Sequence, residues 1–159
     1  MHPNVTRVVE AAAAEGLAIE VRRFPEGTRT AADAARAVGC EVAQIVKSLV
    51  FVADDRAVVA LVSGANRVDL GKLAAAAGAA STRRADGNEA RIATGFAIGG
   101  VPPFGHAAGT TVLVDRALER HGTVWAAAGL PDAVFEVRPA DLVRASRGTV
   151  VDLAEASAG

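Results

Sequence analysis

Two features of the sequence have residue types suited to chemistry. Lys47 stands in QIVKSLVFV, a single cation placed where an amphipathic stretch enters an apolar strand. Residues 96–106 read FAIGGVPPFGH, with three glycines, two prolines and two phenylalanines in eleven residues. Pro102 and Pro103 donate no N–H and fix φ near about −65°, so this stretch continues neither a helix nor a central strand. Gly99 and Gly100 permit positive φ and let another backbone or a ligand come close. The loop's shape serves either packing or something that docks on it. Lys47 also has two readings, because lysine is rarely buried without a partner. Either its stem snorkels to solvent at a sheet end, or its ammonium projects into a pocket beside the loop.

Other chemistries find no support. GANRVDLGKL superficially suggests a phosphate loop, but Gly64 and Gly71 are too far apart and Leu73 stands where a magnesium-binding Ser or Thr belongs. No G-x-G-x-x-G follows a strand, and no serine sits in a G-x-S-x-G elbow. His2, His106 and His121 lack metal-ligand spacing. His2 is terminal, and His121, before Gly122, suits a helix end or turn. Cys40 is the lone cysteine, which rules out an internal disulfide or a thiolate zinc cluster, and it reads as a small buried hydrophobe. No metal and no cofactor is expected.

The elements that must position Lys47 and the loop follow from patterning. The chain of 159 residues is 51% hydrophobic and 22% charged, which argues for one folded domain over 1–159 with a Val, Leu, Ile and Ala core. A net charge of −1 excludes a protein that coats nucleic acid, though a local basic pocket for a tRNA end remains compatible. No run approaches the apolar length of a membrane span, and the amino terminus lacks a signal-peptide core, so a cytoplasmic protein with no membrane or DNA partner is expected.

Residues 3–15 read as a helix stopped by Gly16, and Leu17, Ile19 and Val21 alternate as a half-buried strand. Thr30 caps a helix through Val38, with Asp33 three residues on. A short helix over 41–46 precedes a hairpin turning at Asp54-Asp55-Arg56. Asp69 caps LGKLAAAA, closed by Gly78, and a further helix spans Asn88 to Thr94. TTVLVD, TVWAAA and VFEV read as strands, with a helical turn over Asp115–Arg120. Pro139 opens ADLVRAS, and TVVDL ends the fold. The expectation is an α/β (α+β) fold, a mixed, curled sheet with helices packed outside.

Taken in order, KSLVF, LVSGANRVDLGKLA, ATGFAIGGVPPFGH, TVLVD and VWAAAG resemble the YbaK family, free-standing relatives of the editing domain inserted in bacterial prolyl-tRNA synthetases. The resemblance implies a curved mixed sheet like a partial barrel, flanked by helices. It implies aminoacyl-tRNA deacylase activity on a small mischarged amino acid, with the acceptor end of aminoacyl-tRNA as partner and a synthetase as a further one. The family's lysine falls on Lys47 and its G-x-x-x-P loop on Gly99 to Pro103. An activated ester needs no covalent nucleophile, only a placed water and donors aimed at the carbonyl oxygen. The backbone N–H groups of Gly99, Gly100 and Val101 are expected to supply those donors, with Pro102 and Pro103 stiffening the loop. Lys47 is expected to pair with the terminal phosphate or orient the substrate rather than act as a base, because its ordinary pKa is ~10.4.

The resemblance extends to other positions. Phe24 stands where some relatives have a tyrosine, and Thr28, Arg29 and Thr30 fall near the pocket rim. Asp115 matches a recurrent acidic position, with a helix cap as the equal alternative. His106 contacts substrate or packs the loop. Ala127, Ala128 and Gly129 replace a serine-glycine pattern, so substrate identity does not transfer. Two readings compete with the enzyme. One is a module that holds a nucleotide or tRNA end without hydrolysis; the other is a complex-forming protein indifferent to Lys47.

Overall fold

A computed structural model describes residues 1–25, 28 and 30–156. Helix α1 covers Pro3–Ala14 and is followed by β1 (Val21–Arg23), α2 (Ala31–Val38), β2 (Val46–Ala53) and β3 (Arg56–Ser63). Then come α3 (Leu70–Ala77), β4 (Thr82–Arg84), α4 (Gly87–Thr94), β5 (Thr111–Asp115) and β6 (Val124–Ala127). β7 (Ala133–Val137), α5 (Pro139–Ser146) and β8 (Thr149–Val151) complete the order. Single 3-10 turns occupy Val42–Gln44 and Arg116–Arg120.

The strands form a five-stranded mixed sheet in the order β4-β2-β3-β5-β8 and a three-stranded antiparallel sheet, β1-β7-β6. The α/β class and the mixed sheet are as expected. The described strands do not close into a barrel, so the comparison with a partial barrel holds only loosely. A bridge between Ile45 and Trp125 brings β6 beside the start of β2. β4 covers the same edge of β2 only from Phe51 onward. Residues 46–50 of β2 therefore lie at a gap between β4 and β6.

β3 is apolar on both faces because it is central. Val59 and Leu61 point into the main core, while Val58, Ala60 and Val62 point into a second cluster with Leu73 and Leu153. The main core also takes Val5, Val8 and Ala12 of α1 with Phe96, Phe104 and Phe135. The rings of Phe104 and Phe135 lie 5.7 Å apart, tilted.

Most of the capping expectations hold. Thr30 accepts from the Asp33 N–H at 3.0 Å, and Asp69 accepts from the Lys72 N–H at 3.0 Å. Gly39 and Gly78 close their helices in the left-handed region. Three expectations need correction. The alternating strand is not at 17–21 but at Val21–Arg23, where β7 offers a partner. The short helix over 41–46 is a 3-10 turn of three residues, since Val46 is already paired in β2. α4 starts one residue earlier than Asn88, because Asp86 and Glu89 form a reciprocal capping box. β4 was not expected at all.

Among the described residues no helix is long and apolar enough to cross a membrane.

Candidate active site

A cavity of about 300 Å³ opens at the gap between β4 and β6, within the size range of small-molecule sites. Its floor is β2 from Val46 to Val50, including Lys47 and Ser48. α2 contributes Ala31 and Ala34, β6 contributes Trp125 to Ala127, and Ile98, Gly99 and Val101 come from the glycine-proline loop. Thr28, Thr30 and Pro131 complete one side, and Arg84 and Ala85 the other. Lys47 and the loop thus meet around one space.

The Lys47 ammonium donates to the Asn66 backbone carbonyl at 2.5 Å. Asn66 is itself held, its Nδ2 donating to Asp115 Oδ2 at 3.3 Å. Asp115, only 1% exposed, also accepts from the Leu153 N–H at 3.3 Å. Asp115 therefore lines no part of the cavity, and its carboxylate makes no cap bond to the turn that follows it. It anchors the segment that holds Lys47. Gly64 in the same segment has no space for a side chain, since a Cβ there would lie 2.6 Å from the Val42 carbonyl oxygen.

Among the described residues Lys47 has no carboxylate partner. Burial first, then the charges of Arg84 and Arg67, hold its ammonium below the usual lysine range. The Arg84 guanidinium lies 5.6 Å over the Phe51 ring. Among the described residues that line the cavity, Lys47 and Arg84 are the charged ones, and none is an acid, histidine or cysteine. The described wall can attract an anion but offers no acid or histidine as a base.

The loop divides into a buried anchor and an exposed lip. Val101, Pro102, Pro103 and Phe104 are buried, whereas Ala97, Ile98 and Gly99 are exposed. The Gly100 N–H donates to the Ala97 carbonyl at 3.0 Å, with Gly99 at φ 96° in the turn so formed. Such a turn demands positive φ at its third residue, which accounts for Gly99. It also corrects one expectation, because the Gly100 donor is already engaged. Among the described residues the N–H groups of Gly99 and Val101 have no bonded partner. Gly100 instead packs its α-carbon against the backbone of Gly129 and Leu130.

Of the remaining expected residues, Thr28 and Thr30 line the cavity, and the other described ones lie around it. Phe24 packs against the small cluster of Ala34, Ala35, Ile45, Trp125 and Val134. The Thr28 hydroxyl donates to the Pro131 carbonyl in the β6–β7 turn. Ala128 is fully buried, and Gly129 sits against Asn4. Arg29 lies outside the described residues. Ser48, Arg84 and Asn66 were missed. Asn66 stands in the GANR stretch that was set aside as a failed phosphate loop. Arg84 follows from the unexpected β4. Cys40 is an inert thiol, its pKa raised by burial and by Glu136 and Glu41. Among the described residues no three His, Cys, Asp or Glu side chains group to hold a metal ion.

His106 clips the loop, with Nε2 2.7 Å from the Pro102 carbonyl oxygen and Nδ1 2.6 Å from Thr110 Oγ1. The carbonyl only accepts, so Nε2 carries the proton in the neutral ring and Nδ1 accepts from Thr110. Burial pushes its pKa down, against the opposing pull of the Pro102 carbonyl. The unfolded chain therefore binds the proton first, and stability falls as pH drops below about 6.5 towards the folded value. His106→Gln should flatten this part of the profile of Tm against pH. Equal slopes in the two proteins would assign the acid sensitivity elsewhere.

The aminoacyl-tRNA editing domain family matches residues 25–145. The uncharacterized protein YwhH of Bacillus subtilis (strain 168) is 32% identical over 124 residues, covering 77% of this chain and 78% of its own. A solved structure provisionally described as a trans-editing enzyme for prolyl tRNA synthetase superposes with a TM-score of 0.93 at 45% identity, over 98% of this chain and 99% of that one. A scaffold from a study of epitope backbone grafting by computational design also superposes with a TM-score of 0.93, at 41% identity, over 98% of this chain and 100% of that one.

Proposed function

The chain belongs to the aminoacyl-tRNA editing domain family, and from that premise we propose that residues 1–159 act as one deacylase that hydrolyses the ester of a mischarged small amino acid on tRNA. The meeting of Lys47, Arg84 and the Gly99–Val101 turn around one largely apolar cavity carries this reading. The acyl group enters the apolar space, and the terminal phosphate of the acceptor end pairs with Lys47. The Gly99 and Val101 N–H groups stabilise the negative charge that develops on the carbonyl oxygen. Water adds to the carbonyl carbon, and the bond to the ribose oxygen breaks. Free amino acid and uncharged tRNA result.

With no side-chain base on the described wall, the water's proton passes to solvent or to a group of the substrate. An ester is reactive enough for positioning and oxyanion stabilisation to suffice. Such editing is needed because a pocket alone separates side chains differing by one methylene only about 10–200-fold. Because one relative is described for prolyl tRNA synthetase, tRNA(Pro) is the first substrate to try. The cytoplasm, where charged tRNA is used, is the proposed location.

The test is single-turnover hydrolysis of tRNA(Pro) charged with Ala, Cys, Ser or Thr, measured against the spontaneous rate. One or two esters should be cleaved well above background. The absence of a wall base also suits a second reading, a module that holds the acceptor end. Binding of charged and uncharged tRNA alike, without excess hydrolysis, would establish that reading instead.

A further inference from the structure

We propose that Ser48 is a specificity-determining residue of the cavity, reading a neutral hydrogen-bonding group on the side chain of the bound acyl group. This rests on the deacylase site proposed above and names the class of side chain it takes: small, hydroxyl-bearing and otherwise apolar.

Among the described residues Ser48 Oγ is the buried side-chain polar atom that has no hydrogen-bond partner. Such an atom bears the cost of lost hydration with nothing in return, unless a ligand completes it. Its position on β2 shows where the ligand would come from. Side chains alternate along a strand, so Ser48 shares a face with Val46 and Val50, both buried in the main core, and Lys47 leaves from the opposite face. The hydroxyl thus lies on the face of β2 that carries Val46 and Val50, which line the cavity together with Ser48, Ala85 and Val101.

The backbone points to the same gap. In an antiparallel pair the N–H and C=O of alternate residues face alternate sides. The Val50 carbonyl accepts from the Ala85 N–H at 3.0 Å, on the β4 side of β2. Ser48, two residues earlier, presents its N–H and C=O on that side. There, beyond the Val50–Ala85 bond, no described residue of β4 pairs with β2, and β6 approaches at the Ile45–Trp125 bridge just before β2 begins. One residue therefore offers a hydroxyl, a donor and an acceptor at an unpaired stretch of sheet edge.

The charges select among groups that would satisfy it. Lys47 and Arg84 are the charged residues on the described wall, so a cationic group at Ser48 is repelled and no acid compensates it. A carboxylate is drawn towards Lys47 instead, away from the apolar face. A neutral hydroxyl satisfies Ser48 at little cost, whereas a methyl in its place leaves the orphan unsatisfied.

The test uses the intact protein and two non-hydrolysable probes, adenosines bearing seryl or alanyl groups through a 3′-amide, with binding followed by calorimetry. Wild type should favour the seryl probe by about 10- to 100-fold, the range for completing a buried polar group. Ser48→Ala should remove that preference while still binding the alanyl probe, with a Tm no lower than wild type because the orphan is gone. A Ser48→Ala protein that keeps the preference overturns the proposal. So does a wild type that binds both probes equally, or neither. Failure of the deacylase reading looks different: the seryl preference and its loss in Ser48→Ala persist, but no aminoacyl-tRNA is hydrolysed above background.

Discussion

Lys47→Ala should lower the single-turnover deacylation rate by about 10²-fold, the loss typical of misplacing a bound substrate by about 1 Å, while leaving the protein folded. Folding should survive because, among the described residues, Lys47 has no carboxylate partner to strand; its ammonium is held by one carbonyl and crowded by Arg84 and Arg67. A lysine whose folded pKa lies below its unfolded one costs stability at neutral pH, and that cost is relieved only as pH rises through the folded value towards the unfolded one. Removing the charge should therefore leave Tm unchanged or raise it. Lys47→Met keeps the stem's volume and guards against a collapsed cavity wall. Melting curves read beside the rates separate the two effects. A loss of less than tenfold with an intact fold would mean that the Lys47–phosphate contact does not position the ester.

The sequence makes Lys47 legible for a local reason: a single cation at the entrance to an apolar strand needs an explanation in any fold. The loop is legible because adjacent prolines and glycines exclude regular structure wherever they occur. What holds Lys47 is not legible. Asn66 acts through its backbone carbonyl, which every residue has, and Asp115 reaches it from β5, 49 residues away in sequence. Arg84 depends on β4, a strand of three residues whose TRR carries no apolar alternation and which forms only because β2 offers an edge. Ser48 reads as an ordinary strand serine until the gap between β4 and β6 shows that no described residue bonds to its hydroxyl. The strand wrongly expected at 17–21 fails for a related reason. Leu17 and Ile19 do pack against the main core, as their alternation promised, but no neighbouring strand meets them until Val21. Alternation reports burial, whereas pairing is settled by the rest of the fold.

Gly129→Ala should be the most damaging small substitution for the fold, at about 3 kcal/mol. Its φ is 97°, a region that costs a residue with a Cβ about 1–2 kcal/mol. The added Cβ would also lie 2.8 Å from the Asn4 carbonyl oxygen and 3.0 Å from its carbon. These are backbone atoms at the start of α1, so no side chain can swing aside, and overpacking of this kind costs about 1–3 kcal/mol more. For a chain of this length Tm should fall by roughly 6–12 °C. Gly39→Ala is the control, because Gly39 shares the positive φ, at 79°, but has no atom within 4 Å of the added Cβ. It should cost only the conformational part. The damage at Gly129 should also reach the site, because the Gly100 α-carbon rests on the Gly129 backbone, and Gly100 closes the turn that presents the Gly99 and Val101 donors. Deacylation measured well below the lowered Tm should therefore fall in Gly129→Ala and not in Gly39→Ala. Equal activity in the two, once both are fully folded, would mean that the turn keeps its shape without that support, and that the buried Val101–Phe104 anchor is enough to aim it.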